Sequence, residues 1–258
     1  MNHYWLRPVV AIAAFFVVSV CCAEELKYPR TEIEVGYGHE TLTNNGLDWR
    51  VTHLDLSRQI ADRQTIYGGL RDVRRFGLAD TEATAGFYTP LGAAWTAVVE
   101  ASVSRSSQFL PKYTLFGQLH KAHASGWGTS VGLRHSEYER SAVDILSATA
   151  ERYWGNWRGA YTVYAGRPEG ASWASAHRFQ LTHYYGDHDF IGVNYTTGRE
   201  VENVGPPTGV RSSDVNGWSI TGRHWFSRAW ALTYDLVSHE QGTLYRRQGL
   251  RVGVRHSF

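Results

Sequence analysis

The chain has 258 residues, a formal net charge of +2, 43% hydrophobic and 14% aromatic residues, and 26 glycines. Its near-neutral charge gives no support to nucleic-acid binding. Beyond the N-terminal region there is no apolar run long enough for a membrane-spanning helix and no helical periodicity, so the composition points to an all-β chain.

Met1 to Arg7 carries one positive charge and no acid, and Val9 to Val20 is almost unbroken apolar sequence. That run has the length of a signal-peptide core and is short for a spanning helix. Small residues at Cys21 and Ala23 suit cleavage after Ala23, which divides the chain into a signal peptide, 1–23, and a mature domain, 24–258. The rival reading is a lipid anchor on Cys21 or Cys22. It is the weaker one, because Val20 or Cys21 would stand where Gly or Ala is usual. Cleavage removes both cysteines, so neither disulfides nor Cys–metal chemistry is expected.

Turn residues then punctuate the chain at short intervals. The alternating segments between them predict strands near 31–40, 49–59, 64–73, 80–89, 94–104, 112–122, 127–137, 141–153, 157–166, 172–185, 189–199, 214–225, 229–239 and 244–258. This is an even number, fourteen, as a single-chain transmembrane antiparallel up-and-down β-barrel requires when both ends lie on one side. Twelve strands is the alternative, if two short hairpins are loop excursions.

The links after every second strand are tight: Ile60-Ala61-Asp62-Arg63, Pro90-Leu91-Gly92, His123-Ala124-Ser125-Gly126, Trp154-Gly155-Asn156, Gly186-Asp187-His188 and Phe226-Ser227-Arg228. These suit periplasmic turns. The other links are mostly longer, and Gly198 to Asp214 reads as the longest, open to two readings: a constriction folded into the lumen, or a mobile surface loop, which is the commoner case. Trp95, Trp127, Trp154, Trp157, Trp225 and Trp230 flank the tight turns, while Trp49, Trp173 and Trp218 lie beside the proposed outer loops. Two interfacial aromatic belts would produce this placement.

The last strand shows the alternation best. Leu250, Val252, Val254, His256 and Phe258 share one face, and Arg251, Gly253, Arg255 and Ser257 share the other. Phe258 reads as a membrane sorting signal for barrel assembly. The same rule turns Glu100, Arg134, Arg223, Asp235, Arg251 and Arg255 inward, since an Arg facing mid-membrane lipid would cost roughly 2–4 kcal/mol. Arg223, Asp235, Arg251 and Arg255 come from adjacent strands and are expected to form one interior cluster. That cluster is open to two readings, a guide for an anionic solute or an ion-pair network that closes the lumen.

Of the 26 basic residues only three are Lys, and Arg suits bidentate recognition of carboxylate or phosphate as well as interior ion pairs. The histidine spacings, including His120 with His123 and His183 with His188, do not make a metal site on strands. His135-Ser136 and His256-Ser257 point in opposite directions and cannot form a relay. No cofactor, metal or catalytic residue is expected, and the chain does not read as an enzyme.

Phe109-Leu110-Pro111-Lys112-Tyr113, Gly126-Trp127 running into Gly132-Leu133-Arg134 and Ser136-Glu137-Tyr138, Gly198-Arg199-Glu200-Val201-Glu202 and the final strand resemble the YaiO family of outer-membrane β-barrel proteins. The resemblance covers essentially the whole mature chain, on motifs that are structural. It implies a bacterial outer-membrane location and, from the family's association with glycosyltransferase-type genes, a role in surface polysaccharide traffic. It supplies no catalytic residues. The expected function is therefore passage or export of a glycan or other polar solute by a monomer. Its expected partners are outer-membrane lipid, the barrel-assembly machinery and glycan-synthesis or export proteins, with no nucleic acid. A passive porin for acidic oligosaccharides, a plugged structural or adhesive barrel and a membrane hydrolase are the alternatives.

Overall fold

The computed structural model describes residues 30–43, 47–186 and 188–258. The expected signal peptide, with Cys21, Cys22 and Ala23, lies outside them. Fourteen antiparallel strands form one closed barrel: β1 (Arg30–Leu42), β2 (Trp49–Ala61), β3 (Gln64–Arg75), β4 (Leu78–Pro90), β5 (Trp95–Ser104), β6 (Tyr113–Ala122), β7 (Trp127–Glu137), β8 (Ala142–Trp154), β9 (Trp157–Pro168), β10 (Ala174–Tyr185), β11 (Asp189–Asn203), β12 (Val210–Trp225), β13 (Trp230–Gln241) and β14 (Tyr245–Ser257). Each strand pairs with its sequence neighbours, and β14 pairs with β1 to close the sheet, with Val254 opposite Val35 and Arg251 opposite Gly38. Closure leaves no exposed strand edge.

Alternation explains why these segments become strands with one apolar and one polar face. In β5, Trp95, Val99 and Val103 are exposed, while Glu100 and Ser102 are buried. In β7, Val131 and Leu133 face out and Arg134 faces in. The pattern holds around the barrel, so most large apolar side chains are exposed and many charged ones are buried. That inverts the usual arrangement in water and is the arrangement a lipid-embedded barrel requires.

The tight links form one rim. Between β2 and β3, Arg63 takes a left-handed conformation (φ 56°). Its guanidinium then donates to the carbonyls of Gly92, Ala93 and Trp95 at 2.8–3.1 Å, which fastens two neighbouring turns together. Trp95, Trp127, Trp154, Trp157 and Trp230 stand outward near this rim, and Trp173 stands outward near the other. Trp218 faces outward in mid-wall and continues a row of aromatic rings through Tyr195, Phe179 and Tyr161.

Trp218 thus departs from the expected outer belt in height, and two further tryptophans depart from the belts by facing inward. Trp49 is 1% exposed and faces the interior, because it shares its parity along β2 with Val51 and His53. Trp225 shares the inner face with Arg223, and the Arg30 guanidinium lies 5.1 Å from its ring centroid. The segment from Gly198 to Asp214 also departs from expectation. β11 continues to Asn203 and β12 starts at Val210, so most of it is a β-hairpin with a tip at 204–209. The longest described connection is instead 105–112, between β5 and β6.

Candidate functional site: a charged lumen beneath a folded-in mouth

The inner wall carries tiers of arginine and carboxylate. Near the tight-turn rim, the Arg255 guanidinium spans two acids, with Nη1 2.9 Å from Glu32 Oε2 and Nε 2.8 Å from Glu34 Oε2. Arg30 Nε lies 3.0 Å from Glu32 Oε1, and Thr233 Oγ1 donates to Glu34 Oε1 at 3.0 Å. These contacts tie β14, β13 and β1 together across the closing seam. Arg223 lies in the same tier and donates to the His188 carbonyl at 2.7 Å.

One tier up, Asp235 stands directly opposite Arg251. Arg251 and Arg255 are four residues apart on one strand, so about 13 Å separates them along it at ~3.3 Å per residue. The four residues therefore occupy two levels rather than one cluster. Arg134 and Glu100 belong to β7 and β5, in another part of the wall. There Tyr67 donates to Glu100 Oε2 at 2.9 Å, and the Arg134 guanidinium lies 4.7 Å from the Phe116 ring centroid, with Glu100 and Glu82 among its charged neighbours. Arg158 and Glu151 pair at 2.6 Å, and His120 adds a 2.9 Å contact to the same carboxylate. Phe258 is 70% exposed, donates its N–H to the Thr31 carbonyl at 2.9 Å and sets its ring edgewise on His256, which meets Trp230 in turn.

At the other rim, two segments turn inward. The carboxylate of Asp80 accepts hydrogen bonds from Ser106 Oγ (2.6 Å) and from the backbone N–H groups of Gln108, Phe109 and Leu110 (3.0, 2.8 and 2.9 Å). This clamp places Phe109 and Leu110 against Val51 and Val73, with Phe76 and Leu78 alongside. From the opposite side of the barrel, the β11–β12 hairpin leans over the opening. Val201 packs on Val143 and Ala174, and Tyr245 donates to Glu202 Oε2 at 3.0 Å. Asn203 Nδ2 reaches the Phe109 carbonyl at 3.0 Å, so hairpin and loop meet across the mouth. Gly205 makes the approach possible. Its φ is +86°, and a Cβ there would lie 2.7 Å from the Phe76 ring. Trp49 wedges beneath, with Arg75 at 4.3 Å and Arg247 at 5.3 Å from its ring centroid and with Phe76 and Tyr245 edgewise.

Of the two readings of Gly198–Asp214, the surface loop gives way to the inward one: the hairpin folds over the mouth. Three of its buried positions, Glu200, Val201 and Glu202, are consecutive, so the segment lacks a two-residue apolar period. Asp80 and Asn203 are the site residues that sequence reasoning misses, and Trp49 is one that it assigns to the outer belt. The apolar triplet Phe109-Leu110-Pro111 within a polar link is the one signal for them. Glu34, His53 and Asp55 offer three metal-ligand atoms within 4.8 Å of one another. Arg255 already engages Glu34, which fits the trio to the seam's ion-pair network.

A polar lumen inside an apolar wall now frames the comparison with known proteins. The model of the YaiO membrane beta barrel domain matches residues 30–203. The chain belongs to the YaiO family. This YaiO-family barrel also shares the fold of solved porin-type structures. Salmonella typhi OmpF, solved in complex with daunomycin, aligns with a TM-score of 0.50 at 8% identity over 88% of this chain and 97% of that one. Pseudomonas aeruginosa OpdQ aligns with a TM-score of 0.50 at 8% identity over 90% and 99%. The anion-selective porin from Comamonas acidovorans aligns with a TM-score of 0.47 at 10% identity over 88% and 98%. At these identities the likeness is one of fold. No sequence among curated proteins matches the chain.

Proposed function

We propose that this protein is a gated outer-membrane channel that passes or exports a glycan or another polar solute. The observation that carries the reading is the mouth. A charged inner wall leads to a closure made of two separate segments, joined across the opening by Asn203 and Phe109 and held on one side by Tyr245 and Glu202. The two segments can part without breaking the strand ladder. The tight-turn rim is the periplasmic one in this reading, and the barrel-assembly machinery and glycan-synthesis or export proteins are the proposed partners of a monomer. The non-enzymatic role belongs to the same proposal.

A permanently anion-selective porin is the weaker reading, because Arg255, Arg158 and Arg247 are each paired with a carboxylate. A plugged structural barrel is favoured by one observation, the apolar packing of Phe109 and Leu110 inside the mouth. Planar-bilayer recording separates the two. The gated channel should conduct intermittently, and more often after Asn203→Ala or Tyr245→Phe. Neutralising Arg223, Arg251 and Arg255 should then shift the reversal potential under a salt gradient, less so at high salt, where the screening length falls from about 8–10 Å near physiological ionic strength to about 3 Å at 1 M. A barrel that stays silent in all these variants is plugged.

A further inference from the structure

The lipid-facing wall from β4 to β9 is apolar down to the tight-turn rim, where two cations interrupt it. Lys121 on β6 stands directly opposite Trp95, with Nζ 5.2 Å from the ring centroid. Arg152 on β8 stands directly opposite Trp127, with its guanidinium carbon 5.4 Å from that ring. Both point outward, by the same parity as Leu119 on β6 and Leu146 on β8. β7 runs between them, and its Thr129 pairs with Lys121 on one side and with Ala150, two residues from Arg152, on the other. The two cations therefore flank a single strand, about two strand spacings or ~10 Å apart across the sheet and two residues or ~7 Å apart along it, a gap their long side chains can span.

Among the described residues, this part of the outer wall has no carboxylate. Glu151, next to Arg152 in sequence, turns inward to Arg158. The outward acids of β7 and β8, Glu137 and Asp144, lie at the opposite rim beside His135. That rim pairs four of its outward cations with acids of the chain, Arg74 with Asp72 at 3.4 Å, Lys112 with Glu139 at 3.2 Å, Arg199 with Asp214 at 3.4 Å and Arg246 with Glu240 at 3.1 Å, while Arg167 there lies 4.9 Å from the Trp173 ring centroid and directly opposite Asp144. Lys121 and Arg152 lie over indole rings with no outward carboxylate beside them among the described residues.

Indole side chains settle at the headgroup level of a bilayer, so Trp95 and Trp127 fix the depth of both cations. The anion available at that depth is a lipid phosphate. A zwitterionic headgroup cancels its phosphate with its own cation, so a pair of unscreened protein cations selects lipids of net negative charge. We propose that Lys121 and Arg152 form a binding site for the phosphate of an anionic phospholipid in the leaflet at the tight-turn rim. The lipid's acyl chains lie over Leu119 and Val131, and Trp95 and Trp127 border its headgroup. The site is on the outside of the barrel and does not depend on whether the lumen conducts.

Native mass spectrometry of the detergent-solubilised, full-length protein tests this. Phosphatidylglycerol and phosphatidylcholine with identical acyl chains are supplied together. The wild type should retain phosphatidylglycerol selectively. K121Q/R152Q should weaken that retention about 30-fold, at ~1 kcal/mol for each basic residue at an anionic surface, and K121R/R152K should preserve it. Inorganic phosphate at millimolar concentration should fail to displace the lipid. Equal retention of the two lipids by the wild type overturns the proposal without recourse to any variant. Unchanged retention by K121Q/R152Q, or ready displacement by inorganic phosphate, overturns it as well.

Discussion

Removing the Asp80 carboxylate should undock the β5–β6 segment while leaving the barrel intact. Asp80 is 1% exposed, and its two oxygens collect Ser106 Oγ and three successive backbone N–H groups. The N–H groups of Phe109 and Leu110 are buried, so Asp80→Ala leaves both without an acceptor. Each such orphaned donor costs about 1–3 kcal/mol, and each hydrogen bond to a charged acceptor contributes about 1.5–3 kcal/mol. The two buried donors together therefore put the loss near 3–6 kcal/mol. Burial of the Phe109 and Leu110 side chains, at about 1.5–3 kcal/mol apiece, remains in favour of docking. It is opposed by ordering the residues of the segment at ~1–2 kcal/mol each, so the carboxylate decides the balance. Asp80→Asn keeps one acceptor oxygen and should give an intermediate result.

Trypsin reads the outcome directly, because Arg105 and Lys112 bracket the segment and both are hydrogen-bonded through their backbones when it is docked. In detergent-solubilised, heat-modifiable protein, cleavage at these two sites should accelerate by on the order of 100-fold in Asp80→Ala, from ~3 kcal/mol at tenfold per 1.4 kcal/mol. Cleavage of the Ala variant at the wild-type rate, with the barrel still folded, would refute the clamp.

Arg255→Ala should lower the temperature at which the barrel loses heat-modifiable mobility, since Glu32 and Glu34 then keep buried charge without their shared guanidinium, at a cost of about 3–5 kcal/mol. Neutralising both acids in the same background should restore much of that loss, and no recovery would place the effect elsewhere. Deleting Phe258 removes an N–H bond to Thr31 at the closing seam and a ring contact with His256. It should reduce the membrane-inserted fraction in cells, with Phe258→Tyr mild; equal insertion in fractionated membranes would remove Phe258 from any part in assembly.

The sequence by itself determined the wall. Strand number, order and facing all follow from a period of two read between turn residues, because in a barrel every residue faces either lipid or lumen and the two demand opposite chemistry. That is why Glu100 and Arg134 could be assigned to the inside from their neighbours alone. The same rule, applied at the strand end, would also have turned Trp49 inward. Proximity to a loop was the wrong criterion there, because belt and lumen tryptophans differ in parity and not in distance from a turn. What only the tertiary structure decided is who meets whom across the barrel. Asn203 and Phe109 lie 94 positions apart and belong to segments with no shared ladder, so no local pattern relates them. The Asp80 clamp joins a strand to a loop more than two dozen residues on, through backbone N–H groups that every sequence possesses. The tiers of Arg223, Asp235, Arg251 and Arg255 depend on axial height, which strand stagger sets and alternation does not encode. Period-two patterning records the face of each residue. Closing the mouth depends on distances through the lumen, and those exist only once the sheet has closed on itself.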